Sequence, residues 1–283
     1  MICSAPLSAQ TAEELTPRTP DIPYRVDGHE RQVLDVYLPD DRSEKLSTLF
    51  IVHGGGFVGG QKEMVRPVAE YFTGQGYAVV TPNYRLAPQN TFPAAIEDVF
   101  CALAWTYANA DTYGFDVSRI VTIGESAGGN AVAMLGTVDE PETFLTDCAY
   151  DLTDVPSLQG VVAYYMPADL DCNCRGAQRF ASAYLGVSWD SEMDTVREQW
   201  AAAIPGTYLT GDEPPFLLIH GTDDSLVPLS ESQTFFQQAV DLIDIELIEI
   251  GGADHGFFIR LNQPETQIAL DEVERFLADV LPE

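Results

Sequence analysis

Lysine is almost missing from this chain: only Lys45 and Lys62 occur. Lysine and arginine together number 14 against 44 aspartates and glutamates, for a formal net charge of −30 and a pI near 4.1. That balance disfavours nucleic-acid binding, because phosphates would be repelled. It disfavours attraction to anionic membranes for the same reason. No stretch of 18 apolar residues is present, so no membrane-spanning helix is expected. Neither an internal repeat nor a low-complexity tract occurs. No signal peptide is visible, yet residues 3–20 are rich in Ser, Ala, Thr and Pro, like the start of a mature exported chain. The expected location is secreted or periplasmic, with the cytoplasm as the alternative. A strongly acidic surface also fits a saline habitat.

Histidine is scarce too, at positions 29, 53, 220 and 255, which narrows the choice of a catalytic base. Five cysteines, Cys3, Cys101, Cys148, Cys172 and Cys174, leave at least one without an intramolecular partner. Cys101 lies in an apolar helical run and reads as a buried thiol. Cys148 is placed to pair with Cys172 or Cys174, which would suit an oxidising compartment. Their spacing matches no common zinc pattern, and no metal or cofactor is expected.

What the chain does have is an alternation of apolar strands and helical stretches. Strands are expected near 33–37, 48–52, 77–81, 120–123, 159–164, 216–220 and 244–250. Helices are expected over 64–74, 94–109, 127–136, 231–242 and 265–280. This predicts a single α/β domain over 24–283, a mostly parallel doubly wound sheet, preceded by a flexible lead of residues 1–23. Residues 25–37, with the Asp27-Gly28 turn, could open on a hairpin. Ser230 and Gln233 form a capping-box pattern for the helix that follows. Thr137–Ser157 and Met166–Pro214 fall outside the alternation. They carry Trp189, Trp200, Tyr184, Phe144 and Leu145, and read as lid or pocket material or as surface decoration.

The chemistry concentrates at strand ends. Gly124-Glu125-Ser126-Ala127-Gly128 follows the run Ile120–Ile123 and precedes a helix. A serine on so sharp a turn sits in a strained conformation, and side chains two residues either side would collide, hence the glycines. Its hydroxyl needs a base, an orienting acid and an oxyanion site. His255 lies in the loop Gly252–Phe257. An acid stands in the loop after Phe216–Ile219, where Asp224 is preferred over Asp223; the unchosen one would cap a turn. His53-Gly54-Gly55-Gly56-Phe57, after Leu49–Val52, offers backbone amides unobstructed by side chains, with His53 ordering the loop rather than acting as base. The order Ser126, Asp224, His255 is the chain order of the α/β-hydrolase triad.

These residues resemble the hormone-sensitive-lipase-like branch of the α/β-hydrolase carboxylesterases. The segments Asn83–Pro88, Phe92–Ala95 and Glu97–Val99 are similar to a stretch that recurs there, and the likeness runs from about Leu34 to the C-terminus. The resemblance implies an α/β-hydrolase fold with lid or pocket insertions at the carboxyl end of the sheet. It implies an oxyanion hole of the Gly55, Gly56 and Ala127 amides, and no cofactor. Only a short lead precedes Tyr24, as in compact bacterial and metagenomic members, some described as feruloyl or acetyl-xylan esterases. The expected activity is serine carboxylesterase action on short-chain acyl esters, with feruloyl, aryl or acetyl-xylan esters second. A non-catalytic ligand-binding protein on the same scaffold is the alternative of another class. The expected partner is a small-molecule ester; an exposed edge strand could support a homodimer.

Overall fold

The computed structural model describes residues 18–169, 175–187 and 194–281. Eight strands form one sheet: β1 (Arg18–Pro23), β2 (Val33–Tyr37), β3 (Leu46–Val52), β4 (Ala78–Pro82), β5 (Phe115–Glu125), β6 (Gly160–Tyr164), β7 (Phe216–Gly221) and β8 (Ile245–Ile250). Their spatial order is β1-β2-β4-β3-β5-β6-β7-β8. β1 and β2, and β2 and β4, pair antiparallel, and every later pairing is parallel.

The central strands are continuous apolar runs because helices cover both faces. Alternate side chains divide between two cores. Phe50, Val52, Val80, Ile120, Val161, Ala163 and Leu218 face one, with buried residues of α2 (Ala94–Ala108), α4 (Ala127–Thr137) and α7 (Leu229–Ala239). Leu49, Ile51, Val79, Val121, Ile123, Val162, Leu217 and Ile219 face the other, with α1 (Arg66–Gly74) and α8 (Pro264–Val280). The short α3 (Ala110–Tyr113), α5 (Arg175–Leu185) and α6 (Asp194–Ala202) complete the α-helices among the described residues. In the outer strand β8, Glu246 and Glu249 point to solvent while Ile245 and Ile250 stay buried.

Register positions the loops. Val52 lies opposite Gly124, Glu125 opposite Tyr164, Tyr164 opposite Ile219, and Gly221 opposite Ile250. The carboxyl ends of β3, β5, β7 and β8 therefore open in one row, where an open α/β sheet places its ligands.

Five expectations are corrected. Residues 18–23, expected within a flexible lead of residues 1–23, are instead the outer strand of the opening hairpin, pairing with Val33–Tyr37, and residues 1–17 lie outside the described residues. Arg18 binds the buried Asp35 carboxylate at 2.6 Å, and Asp21 N–H donates to the same carboxylate at 3.0 Å. The capping box does not form: α7 begins at Leu229 behind Pro228, with no side-chain cap, and the Gln233 amide reaches Glu249 at 2.9 Å. Cys101 is not a free thiol but is disulfide-bonded to Cys148, 47 residues away. Cys148 is therefore not paired with Cys172 or Cys174; those two, with Cys3, lie outside the described residues. The bond fastens the segment after α4 to α2. Finally, β5 runs well beyond the expected 120–123, starting at Phe115.

Candidate active site

The turn between β5 and α4 holds Ser126 at φ 55°, ψ −121°, a left-handed conformation that costs a non-glycine residue roughly 1–3 kcal/mol. Surrounding bonds hold it there. Ser126 N–H donates to Tyr164 O at 2.9 Å, and Ser126 O accepts from Asn130 N–H at 3.1 Å. A Cβ on Gly124 would strike the carbonyl of Gly128, and one on Gly128 would strike that of Val52. Both flanking glycines are thus steric necessities.

The structure brings three of the expected side chains into series. Ser126 Oγ lies 3.0 Å from His255 Nε2, and His255 Nδ1 lies 2.7 Å from Asp224 Oδ2. With Nδ1–H donating to the carboxylate, Nε2 presents its lone pair to the serine hydroxyl. The Asp224 side chain is fully buried, and its other oxygen accepts from Leu226 and Val227 N–H at 2.9 and 2.8 Å. Burial raises its pKa, but hydrogen bonds from His220, His255 and the Val227 amide outweigh it. The carboxyl is held well below the usual range and stays ionised. Asp223, the second candidate, is exposed and, among the described residues, accepts only from its neighbour Thr222, at 3.2 Å.

Two supports escaped the sequence. Asp254 Oδ1 accepts from Ser225 N–H, Ser225 O–H and His255 N–H at 2.8–2.9 Å, stitching the acid loop to the histidine loop. The buried His220 ring donates from Nε2 to Val227 O at 2.9 Å, accepts from Ser232 O–H at 2.8 Å, and lies 3.4 Å from Asp224. Its position near the end of β7, ahead of the acid, was the only available signal.

The glycine loop stands opposite. Gly55 and Gly56 adopt φ +116° and +62°. Their N–H groups and that of Ala127 donate to no acceptor among the described residues, and all three residues line the same cavity as Ser126 and His255. His53 orders the loop as expected: its Nδ1 bonds Gly54 O at 2.7 Å and its ring stacks on Tyr84 at 4.3 Å. Burial pushes its pKa down to about 4, so it is neutral.

The cavity measures about 270 Å³, and its walls are chiefly apolar, with Phe57, Met64, Phe180, Tyr184, Leu226 and Ile259 prominent. Of the aromatic residues expected to build a pocket, Tyr184 does so, and Phe180 of the same helix joins it. Phe144 instead packs on Phe92 and Phe100, so the Thr137–Ser157 segment covers α2 and does not line the cavity. Trp200 packs against the core, and Trp189 lies outside the described residues. Among the described residues no group of three or more His, Cys, Asp and Glu could hold a metal ion, and no helix is long and apolar enough to cross a membrane.

An eight-stranded, mostly parallel sheet wrapped by helices, with a serine on the turn after its fifth strand, is the α/β-hydrolase fold. Within that class the chain belongs to the BD-FAE family, whose model matches residues 34–239. It is 32% identical over 231 residues to esterase LipC of Mycobacterium tuberculosis, covering 80% of this chain and 57% of that protein. Against the probable carboxylic ester hydrolase LipM of the same organism, identity is 29%, over 87% of this chain and 58% of that one. The chain thus spans a little under three fifths of these relatives. Esterase B from Lactobacillus rhamnosis superposes with a TM-score of 0.78 at 22% identity, over 93% of this chain and 86% of that one. These relatives and neighbours are esterases, the sequence relatives being of the hormone-sensitive-lipase-like branch.

Proposed function

We propose that the protein is a serine carboxylesterase working through an acyl-enzyme. The observation that carries this reading is the Ser126–His255–Asp224 series, at 3.0 and 2.7 Å, beside three amides that donate to no acceptor among the described residues and line an apolar cavity. His255 Nε2 takes the hydroxyl proton as Ser126 Oγ attacks the ester carbonyl. The Gly55, Gly56 and Ala127 amides receive the oxyanion. Asp224 holds the ring in the tautomer this needs and stabilises the imidazolium. His255 then gives its proton to the departing alcohol, and water enters by the reverse steps to release the acid.

At about 270 Å³ the cavity falls just below the usual range for ligand sites, roughly 300–1,000 Å³, which favours short acyl groups. Aryl esters, feruloyl included, are the second reading, supported by the rings of Phe57, Phe180 and Tyr184 around it. The Cys101–Cys148 bond supports folding in an oxidising compartment, in keeping with secretion or a periplasmic home. The excess of carboxylates supports an uncharged ester as ligand rather than a nucleic acid.

A fluorophosphonate probe should label the protein stoichiometrically at Ser126. Ser126→Ala should fold normally, escape labelling and lose about three or more powers of ten in kcat on a p-nitrophenyl ester panel. No labelling, with ester binding retained, would identify a non-catalytic binder instead. Rates peaking at acetyl to butyryl esters would support the short-chain preference, and a peak at cinnamoyl esters would replace it with the aryl one.

A further inference from the structure

Glu125 precedes the serine, lines the cavity, and has no part in the steps above. It is 6% exposed, and burial raises its pKa. A buried carboxyl is costly unless it is bonded on several sides. Glu125 Oε1 accepts from Gly54 N–H at 2.7 Å, at the root of the glycine loop. The approach is so close that any side chain on Gly54 would strike the carboxyl and the Glu125 backbone. The Tyr165 hydroxyl lies near enough to interact electrostatically with this carboxyl; burial first, and this charge next, raise the pKa of the phenol.

Tyr165 is itself unusual. It follows β6 at φ 34°, a strained value for an aromatic residue, and its side chain is fully buried. Its hydroxyl accepts from Phe258 N–H at 3.3 Å, three residues beyond the histidine. Its ring lies 4.5 Å from the His255 ring. One chain of contacts therefore runs from the glycine loop, through Glu125 on the serine turn and Tyr165 after β6, to the histidine loop.

We infer that Glu125 and Tyr165 are positioning residues that set the Gly55 and Gly56 amides and the His255 ring at fixed distances from Ser126. The carbonyl side of the glycine loop is already held, by His53 Nδ1 on Gly54 O and by Tyr84 O–H on His53 O at 2.9 Å. Glu125 supplies the hold on the amide side. Without it Gly54 N–H is left buried and unpaired, and the loop that follows can rotate its amides away from the oxyanion. This inference rests on the serine-esterase reading.

The test measures kcat and KM per fluorophosphonate-titrated site, with a trifluoromethyl ketone as mimic of the tetrahedral adduct. Glu125→Leu removes the acceptor. We expect kcat to fall ~10- to 100-fold, the scale of impaired oxyanion donation, with KM within about twofold and ketone affinity falling in parallel. Glu125→Gln keeps an acceptor for Gly54 N–H and should stay within about threefold of the parent. Tyr165→Phe removes one oxygen and should lower kcat roughly three- to tenfold even if the leucine variant fails to fold. Equal losses in the leucine and glutamine variants would overturn the inference. So would a Tyr165→Phe enzyme with parental kcat, or losses confined to melting temperature. Absence of labelling in the parent protein would refute the serine-esterase reading, a separate result.

Discussion

Glu231 gives the protein a calculable sensitivity to pH. Its side chain, 4% exposed, accepts from Ala168 and Asp169 N–H at 2.9 and 3.0 Å and faces the Asp169 carboxylate. Burial first, and the like charge of Asp169 next, raise its pKa from 4.5 to about 7, against the opposing pull of the two amides. The folded protein therefore binds this proton more tightly than the unfolded chain does. The stabilisation is full below about pH 4.5 and disappears as the pH climbs through 7. A rise of about 2.5 units corresponds to about 3 kcal/mol. Glu231→Gln imitates the protonated group at every pH: its carbonyl can still accept from the amides, and its NH₂ can face Asp169. Guanidinium unfolding of parent and variant from pH 4.5 to 8.5 reads the difference, in which other titrations cancel. The two should match at pH 4.5, and the glutamine variant should be more stable by about 3 kcal/mol at pH 8, worth about 5 °C in Tm. A difference that stays constant with pH would refute the reasoning.

Three further outcomes follow from other parts of the molecule. Asp224→Asn should leave the fold intact and lower kcat by roughly four powers of ten, because the amide favours the wrong His255 tautomer; steady-state kinetics on a short-chain ester checks this. Cys148→Ser removes a cross-link spanning 47 residues, for which chain entropy sets a loss of about 4 kcal/mol; a reducing agent should lower Tm further in the parent than in the variant. The net charge of −30 predicts a Tm that rises with added sodium chloride as self-repulsion is screened, and a flat Tm into the molar range would exclude that.

The chemistry-bearing loops could be read from sequence because steric need fixes their residues. Only glycine fits at 124 and 128, and apolar runs announced the strands they follow. Asp224 could be preferred to Asp223, but the contrast between a buried, multiply bonded carboxylate and an exposed one is a tertiary fact. β1 was hidden because Arg-Thr-Pro-Asp-Ile-Pro carries two prolines, which suit only an outer strand. The partner of Cys148 was hidden because Cys101 sits among apolar residues of α2, where a thiol and a half-cystine look alike. The tie from Glu125 to Gly54 joins residues 71 apart in the chain and leaves no local pattern. The cap expected at Ser230 failed because Pro228 already sets the entry to α7.

Phe180 rests its ring where a side chain on Gly56 would have to go, although it belongs to α5, outside the sheet. Part of the cavity wall thus comes from a different stretch of the polypeptide than Ser126, Asp224 and His255, which stand at strand ends. Diversifying α5 at Phe180, Ala181 or Tyr184 would reshape the cavity wall and also press on the glycine loop, because Phe180 lies against Gly56 and Tyr184 stacks on Phe57 at 3.9 Å.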